Sequence, residues 1–97
     1  NIFIVNFLPP MTNAEIIKKI NGFLVEEFEV EDSVIVPDAS LKDTLELDSL
    51  DYVDLVVLLE GNFNFKVKQE DFTGIVSFQD LYNYVIGKVG TPTNAAV

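Results

Sequence analysis

The sequence predicts an all-α fold, a bundle of three main helices and a short one with a long first connection. Apolar residues recur at helical spacing in three separate stretches of the chain. Two hydroxyl residues each precede an acid by three positions, Thr12 with Glu15 and Ser77 with Asp80, the pattern of a capping box at a helix start. Hydrophobic residues make up 48% of the 97, enough for one small core in one domain and too many for a disordered chain.

The first helix opens at Thr12. Ile16, Ile17, Ile20, Phe23, Leu24 and Phe28 form its apolar face, and Lys18, Lys19, Glu26 and Glu27 lie on the wet side. Gly22 weakens this helix without ending it. From Glu29 to Leu47 the periodicity decays, and Pro37-Asp38 marks a loop that Val34, Val36, Leu41 and Leu45 are expected to pin down. A loop of that length in a small domain is functional or covers the core. The second helix begins at Asp48 or Ser49 and runs to about Phe63, with Tyr52, Leu55, Val56, Leu59 and Phe63 on one face. Leu50, Val53 and Val57 form a second apolar strip, more than a single buried face requires. Gln69 to Thr73 suits a short helical turn. Phe78, Leu81, Tyr82, Val85 and Ile86 give the last helix its face, with Gly87 and Gly90 expected to end it. Residues 11–90 are thus expected to form the bundle, with 1–10 expected as a disordered or non-native extension ahead of a start at Met11 and 91–97 as a flexible tail.

Sixteen acids against six bases give a net charge of −10. Such a surface repels nucleic acid and draws in basic partners, although high acidity also serves simple solubility. Cys and His are both absent, which removes disulfides, thiolate zinc sites, a Cys nucleophile and any His-based triad. The lack of Cys fits a reducing cytoplasm. No apolar run approaches the roughly 18 residues that span a bilayer, and Asn1 to Pro10 lacks the basic region of a signal peptide.

The informative segment runs from Asp38 to Asp51. Ser49 falls where the loop turns into the second helix, at its positive end, where free backbone N–H groups favour a phosphate placed beside an exposed hydroxyl. The same Asp48-Ser49-Leu50-Asp51 string is also an ordinary helix start, with Asp48 or Ser49 as the cap. Asp48, Asp51 and Asp54 could hold a divalent cation weakly, but no defined loop supplies the further oxygen ligands of a dedicated metal site.

The wider pattern resembles the acyl carrier proteins, in which Asp-Ser-Leu opens the second helix. The resemblance includes Asp38-Ala39-Ser40-Leu41 and Asp43 upstream, and Asp51, Val53, Asp54, Leu55, Leu59, Glu60 and Phe63 downstream. It covers about residues 13 to 88 and ends on Asn83-Tyr84-Val85. It implies an acyl-carrier-type bundle, most of it helical, that catalyses nothing itself. By the same resemblance, Ser49 receives 4′-phosphopantetheine from coenzyme A through a magnesium-dependent phosphopantetheinyl transferase, with Asp48 and Leu50 beside it. Acyl intermediates then ride as thioesters on the arm's thiol, in fatty-acid or related lipid or polyketide synthesis. Basic docking patches on the transferase and on acyl-chain synthase and transferase enzymes would meet Asp48, Asp51, Asp54 and Glu60, with Leu50, Val53 and Val57 between them. Leu55, Leu59, Val67, Phe72 and Ile75 are the candidate lining of an acyl cavity, and equally candidates for plain core. The chain is expected to act as a cytoplasmic monomer.

The sequence departs from the family pattern at several points. Glu46 stands where Gly is usual, two residues before Asp48; Gly61 replaces a common acid; Lys66 and Lys68 make the next loop more basic; Phe65 and Phe72 are bulky. These bear more on a housekeeping fatty-acid role than on the carrier role. A peptidyl or aminoacyl carrier, and an unmodified helical interaction protein of the same fold, are the alternatives. A hydrolase lacks a nameable nucleophile and base.

Overall fold

Thr12 caps the first helix from both directions: its hydroxyl accepts from the Glu15 N–H at 3.1 Å, and the Glu15 carboxylate accepts from the Thr12 N–H at 2.9 Å. The molecule is seen in a computed structural model that describes residues 12–89, so the expected extension at 1–10 and tail at 91–97 lie outside the described residues. Helix α1 (Asn13–Phe28) buries Ile16, Ile20 and Leu24 and ends at Glu29 in a left-handed conformation, φ 54°. Helix α3 (Ser49–Phe63) follows a short α2 (Leu41–Leu45), and α4 (Phe78–Val89) closes the bundle. Single 3₁₀ segments lie at Asp32–Val34 and Gln69–Gly74. The fold is all-α, with no strand among the described residues.

The first connection is more ordered than its weak periodicity suggests. It holds the Asp32–Val34 segment and α2, whose start is capped by the Ser40 hydroxyl accepting from the Asp43 N–H at 3.1 Å. Leu41 and Leu45, four apart, both reach the core, as expected. Val34 and Val36 do not: they are 44% and 46% exposed, and Ile35 and Leu47 are buried instead. Ile35 turns inward where the chain leaves the Asp32–Val34 turn, and its two neighbours point outward. The connection is tied to the start of α4 by backbone bonds from Leu41 N–H to Val76 C=O, 2.9 Å, from Phe78 N–H to Ala39 C=O, 3.2 Å, and from Gln79 N–H to Pro37 C=O, 3.0 Å.

Phe78, Leu81, Tyr82 and Val85 of α4 pack into the same core as Leu55, Leu59 and Phe63 of α3. The Tyr82 hydroxyl donates to Asn21 Oδ1 at 2.6 Å, fixing α4 against α1. Gly87 does not stop α4, which runs through it to Val89; one helical glycine costs only about 1 kcal/mol, less than the packing of the preceding turns supplies. Gly90 lies outside the described residues. No described helix is long and apolar enough to cross a membrane.

Candidate functional site

The site is built on the sharp turn between α2 and α3. At the end of α2 the N–H groups of Glu46 and Leu47 both point to the Lys42 carbonyl, and Glu46 takes the left-handed conformation, φ 55° and ψ 52°. This is a shape that glycine adopts freely and other residues adopt at a cost. A Cβ at this position therefore does not abolish the turn. Leu47 drops into the core just after it, leaving Asp48 extended and poised to cap α3.

Asp48, not Ser49, is the cap. Its carboxylate accepts from the N–H groups of Leu50 at 2.9 Å and Asp51 at 3.0 Å, and the Asp51 carboxylate accepts from the Asp48 N–H at 3.1 Å. Ser49 is therefore the first residue of the helix proper, exposed, with no hydrogen bond from its hydroxyl to the described residues. Of the helix-end N–H groups expected to be free beside it, those of Leu50 and Asp51 are not. The Leu50 and Asp51 donors are already taken by a carboxylate, so a phosphate on Ser49 would stand in water near two negative side chains rather than in a ready-made anion cradle.

Leu50, Val53, Asp54 and Val57 share one face of α3 by their spacing, and all four are exposed, Leu50 at 74%, Val57 at 61% and Val53 at 45%. The remaining acids are placed differently. Asp51 is half-buried in the capping box, and Glu60 is half-buried with its carboxylate accepting from the Val67 N–H at 2.8 Å. Among the described residues no group of three or more acids converges as a metal-ligand set.

Beside Ser49 lies an open groove of about 320 Å³ lined by Ser49, Tyr52, Gln69, Phe72 and Thr73. Of the five residues expected to line a cavity, only Phe72 borders this groove; Leu55, Leu59, Val67 and Ile75 are buried in the core cluster. Tyr52 packs against Phe72 with ring centroids 5.7 Å apart and planes tilted by 58°, and burial, with a smaller push from the Asp43 carboxylate, raises its phenol above the usual tyrosine value. Sequence reading placed Tyr52 on the core face and did not single out Gln69 or Thr73 for the site. Tyr52 was findable, because it lies three residues after Ser49 and so on the same side of α3.

Comparison with known proteins bears directly on this geometry. Residues 18–85 match the family model described as the phosphopantetheine attachment site. A curated relative is the acyl carrier protein of Thermosynechococcus vestitus, 30% identical over 79 residues, which cover 81% of this chain and 98% of the relative. The chain belongs to the acyl carrier protein family. The prosthetic group of that family is 4′-phosphopantetheine, and the chain fits it on its own geometry. The carrier fold here presents an unbonded, exposed serine hydroxyl at a helix start, next to a groove with aromatic walls and two polar side chains suited to an organic arm containing amides. Membership in a family of carrier proteins points to a non-catalytic carrier.

Proposed function

We propose that Ser49 bears the 4′-phosphopantetheine arm and that the chain carries acyl intermediates in fatty-acid or related lipid or polyketide biosynthesis. The observation that carries this reading is the free, exposed hydroxyl of Ser49 at the first position of α3, left unbonded because Asp48 does the capping. When attached, the arm supplies a thiol on which an acyl group is held. Everything else falls to the protein's own side chains. Asp48 and Asp51 hold the helix start, so that the Ser49 hydroxyl is presented from a rigid turn. Leu50, Val53 and Val57 offer an apolar strip to a docking enzyme, and Asp48 and Asp54 attract its basic rim. Tethering keeps the cargo at high local concentration near each partner's active site.

A net charge of −10 supports acyl over peptidyl cargo, since it suits partners with basic docking patches. The phosphopantetheinyl transferase and the acyl-chain synthases and transferases are the proposed partners, met by a monomer in the cytoplasm. Incubation with coenzyme A, magnesium and a broad-specificity transferase should add the mass of one phosphopantetheine to the wild-type protein and none to Ser49→Ala. An unmodified wild type, under conditions that modify a known carrier, refutes the proposal.

A further inference from the structure

The lysines of this acidic chain are not spread evenly. Four of the six bases, Lys19, Lys66, Lys68 and Lys88, are exposed around the far end of α3 from Ser49. A row of rings joins them. The Lys19 ammonium lies 5.6 Å from the centre of the Phe63 ring, and Phe63 packs against Phe65 at 6.4 Å. Phe65 packs in turn against Tyr84 at 6.0 Å, and the Lys88 ammonium lies 5.6 Å from the Tyr84 ring. Lys66 and Lys68 flank the row on the loop that follows α3. The loop is latched to α4 by the Tyr84 hydroxyl, which donates to the Asp71 carboxylate at 2.7 Å. That bond, with one from the Lys68 N–H and the charges of Lys88 and Lys68, holds the Asp71 carboxyl below its usual value, which places both lysines beside it. The half-buried acids at this end are committed to the protein itself, Asp71 to Tyr84 and Glu60 to the Val67 N–H at 2.8 Å, whereas the four lysines are exposed; Glu70, on the same segment, is an exposed acid. Beside Lys66 lies an open cleft of about 270 Å³ lined by Glu60, Asn64, Phe65 and Lys66. That is below the roughly 300 Å³ of pockets that hold a small organic molecule, and it is room for one or two protein side chains. Solubility does not account for the cluster, because in a chain of net charge −10 each lysine lowers the net charge. Lys19 and Lys88 are moreover held over ring faces, which removes part of the entropy cost of using them in a contact.

We propose that Lys19, Lys66, Lys68 and Lys88 form a second docking surface, which takes an acidic segment of a partner protein and seats one of its apolar side chains in the cleft beside Phe65. Charge complementarity sets the sign of the partner, and the shape of the surface sets its class. An interfacial membrane contact needs exposed apolar side chains, and the large exposed ones, Val34, Val36, Leu50, Val53, Val57 and Val76, are not among the residues of this surface. A polyphosphate chain is repelled by the net charge of −10, and the buried Phe63 ring offers no open face for a base to stack on. The fourteen-residue rise from Ser49 to Phe63 is about 21 Å, more than twice the Debye length of about 8 Å at physiological salt, so the two ends of α3 act as electrically separate surfaces. One acidic partner can then hold the domain while the Ser49 end meets another.

The inference goes beyond the carrier reading and does not rest on it, because binding is read on the full, unmodified chain by NMR. The probe is a synthetic helical peptide rich in glutamate with one leucine and one phenylalanine, and the control is the same peptide with glutamine for glutamate. Signals of Lys19, Phe65, Lys66, Lys68, Tyr84 and Lys88 should shift with a Kd below about 1 mM at low salt, while those of Leu50, Val53, Val57, Lys18 and Lys42 stay in place. The control peptide should shift none. Lys66→Glu combined with Lys68→Glu, both exposed and so neutral to folding, should weaken binding by about tenfold or more, whereas Lys18→Glu combined with Lys42→Glu should change it by less than about twofold. Absent shifts, shifts spread over all six lysines, or equal binding by the Lys66/Lys68 variant overturn the proposal. Phosphatidylglycerol vesicles or a single-stranded oligonucleotide that displace the peptide from these residues overturn it in favour of a lipid or a nucleic acid. Loading of Ser49 by a transferase should proceed within about twofold of its free rate with the peptide bound, and a peptide that blocks loading overturns the independence of the two ends. A wild type that is never loaded refutes attachment at Ser49 and leaves the binding result standing.

Discussion

Glu46 offers the sharpest test of how the turn before Ser49 is held. It sits at φ 55° and ψ 52°, where its Cβ crowds the following carbonyl; for a residue other than glycine this costs about 1–2 kcal/mol. Its side chain is exposed and makes no hydrogen bond to the described residues that would offset the strain. Glycine removes the crowding but adds freedom to the unfolded chain, which returns roughly 0.5–1 kcal/mol of the gain. Glu46→Gly should therefore stabilise the protein by a net of about 0.5–1 kcal/mol, raising Tm by roughly 2–8 °C for a domain of this size. Urea unfolding followed by circular dichroism measures this, with Glu46→Ala as the control. The alanine variant keeps the Cβ and loses the charge, so it should stay within about 0.5 kcal/mol of wild type. A glycine variant no more stable than the alanine variant would show that the turn is unstrained, and with it that Glu46 is not left-handed in solution.

Other variants test other parts of the structure. Asp48→Ala strips the acceptor from the Leu50 and Asp51 N–H groups and should cost about 1–2 kcal/mol in the same urea experiment; a loss under 0.3 kcal/mol would mean another group caps α3. Gly22→Ala, in the middle of α1, places a Cβ that meets nothing within 4 Å and should add about 0.5–1 kcal/mol. The Asp71–Tyr84 latch makes stability depend on pH at both extremes. The hydrogen bond from Tyr84 holds the Asp71 carboxyl below its ordinary 3.8, so its contribution is present above that value and lost as pH falls through the lower folded pKa. Burial, with the Asp71 hydrogen bond, pushes the Tyr84 phenol up from 10.0 to about 12, so its contribution is full below pH 10 and lost between 10 and 12. Tyr84→Phe should flatten the alkaline limb of a stability–pH curve over that window, and an unchanged limb would assign the loss to other groups. Val57→Asp, on the exposed strip, should leave unfolding within about 0.5 kcal/mol of wild type while slowing turnover by a partner enzyme; equal slowing in stability and turnover would argue that Val57 packs in the core.

The helices were legible because each shows its burial in its spacing. Ile16, Ile20 and Leu24 in α1, and Leu55, Leu59 and Phe63 in α3, recur at three or four residues and are the residues buried in the structure. Leu50, Val53 and Val57 were legible as surplus apolar residues for the same reason, and they are exposed. Helix α2 was missed because five residues give one turn and a half, too few to establish a period. The signal that could have revealed it was Ser40 followed by Asp43, a cap pattern immediately before Leu41 and Leu45. Val34 and Val36 misled because hydrophobicity in a loop says nothing about which side chains turn inward. At the site, the sequence left Asp48 and Ser49 as equal candidates for the cap, since either residue type can do it. Only the hydrogen bonds from Leu50 and Asp51 assign that role to Asp48 and so free the serine. The groove depends on Gln69, Phe72 and Thr73 arriving from a segment some twenty residues away, which no local pattern encodes.

The proposed carrier role depends on the one hydroxyl at the head of α3. Protein isolated from the cell that makes it, digested with trypsin and mapped by tandem mass spectrometry, puts Ser49 in the peptide spanning residues 43–66 together with Thr44 and Tyr52. The phosphopantetheine mass should be found on that peptide and localised to Ser49. A modification on Thr44 or Tyr52, or a peptide that is unmodified throughout the recovered protein, would contradict it.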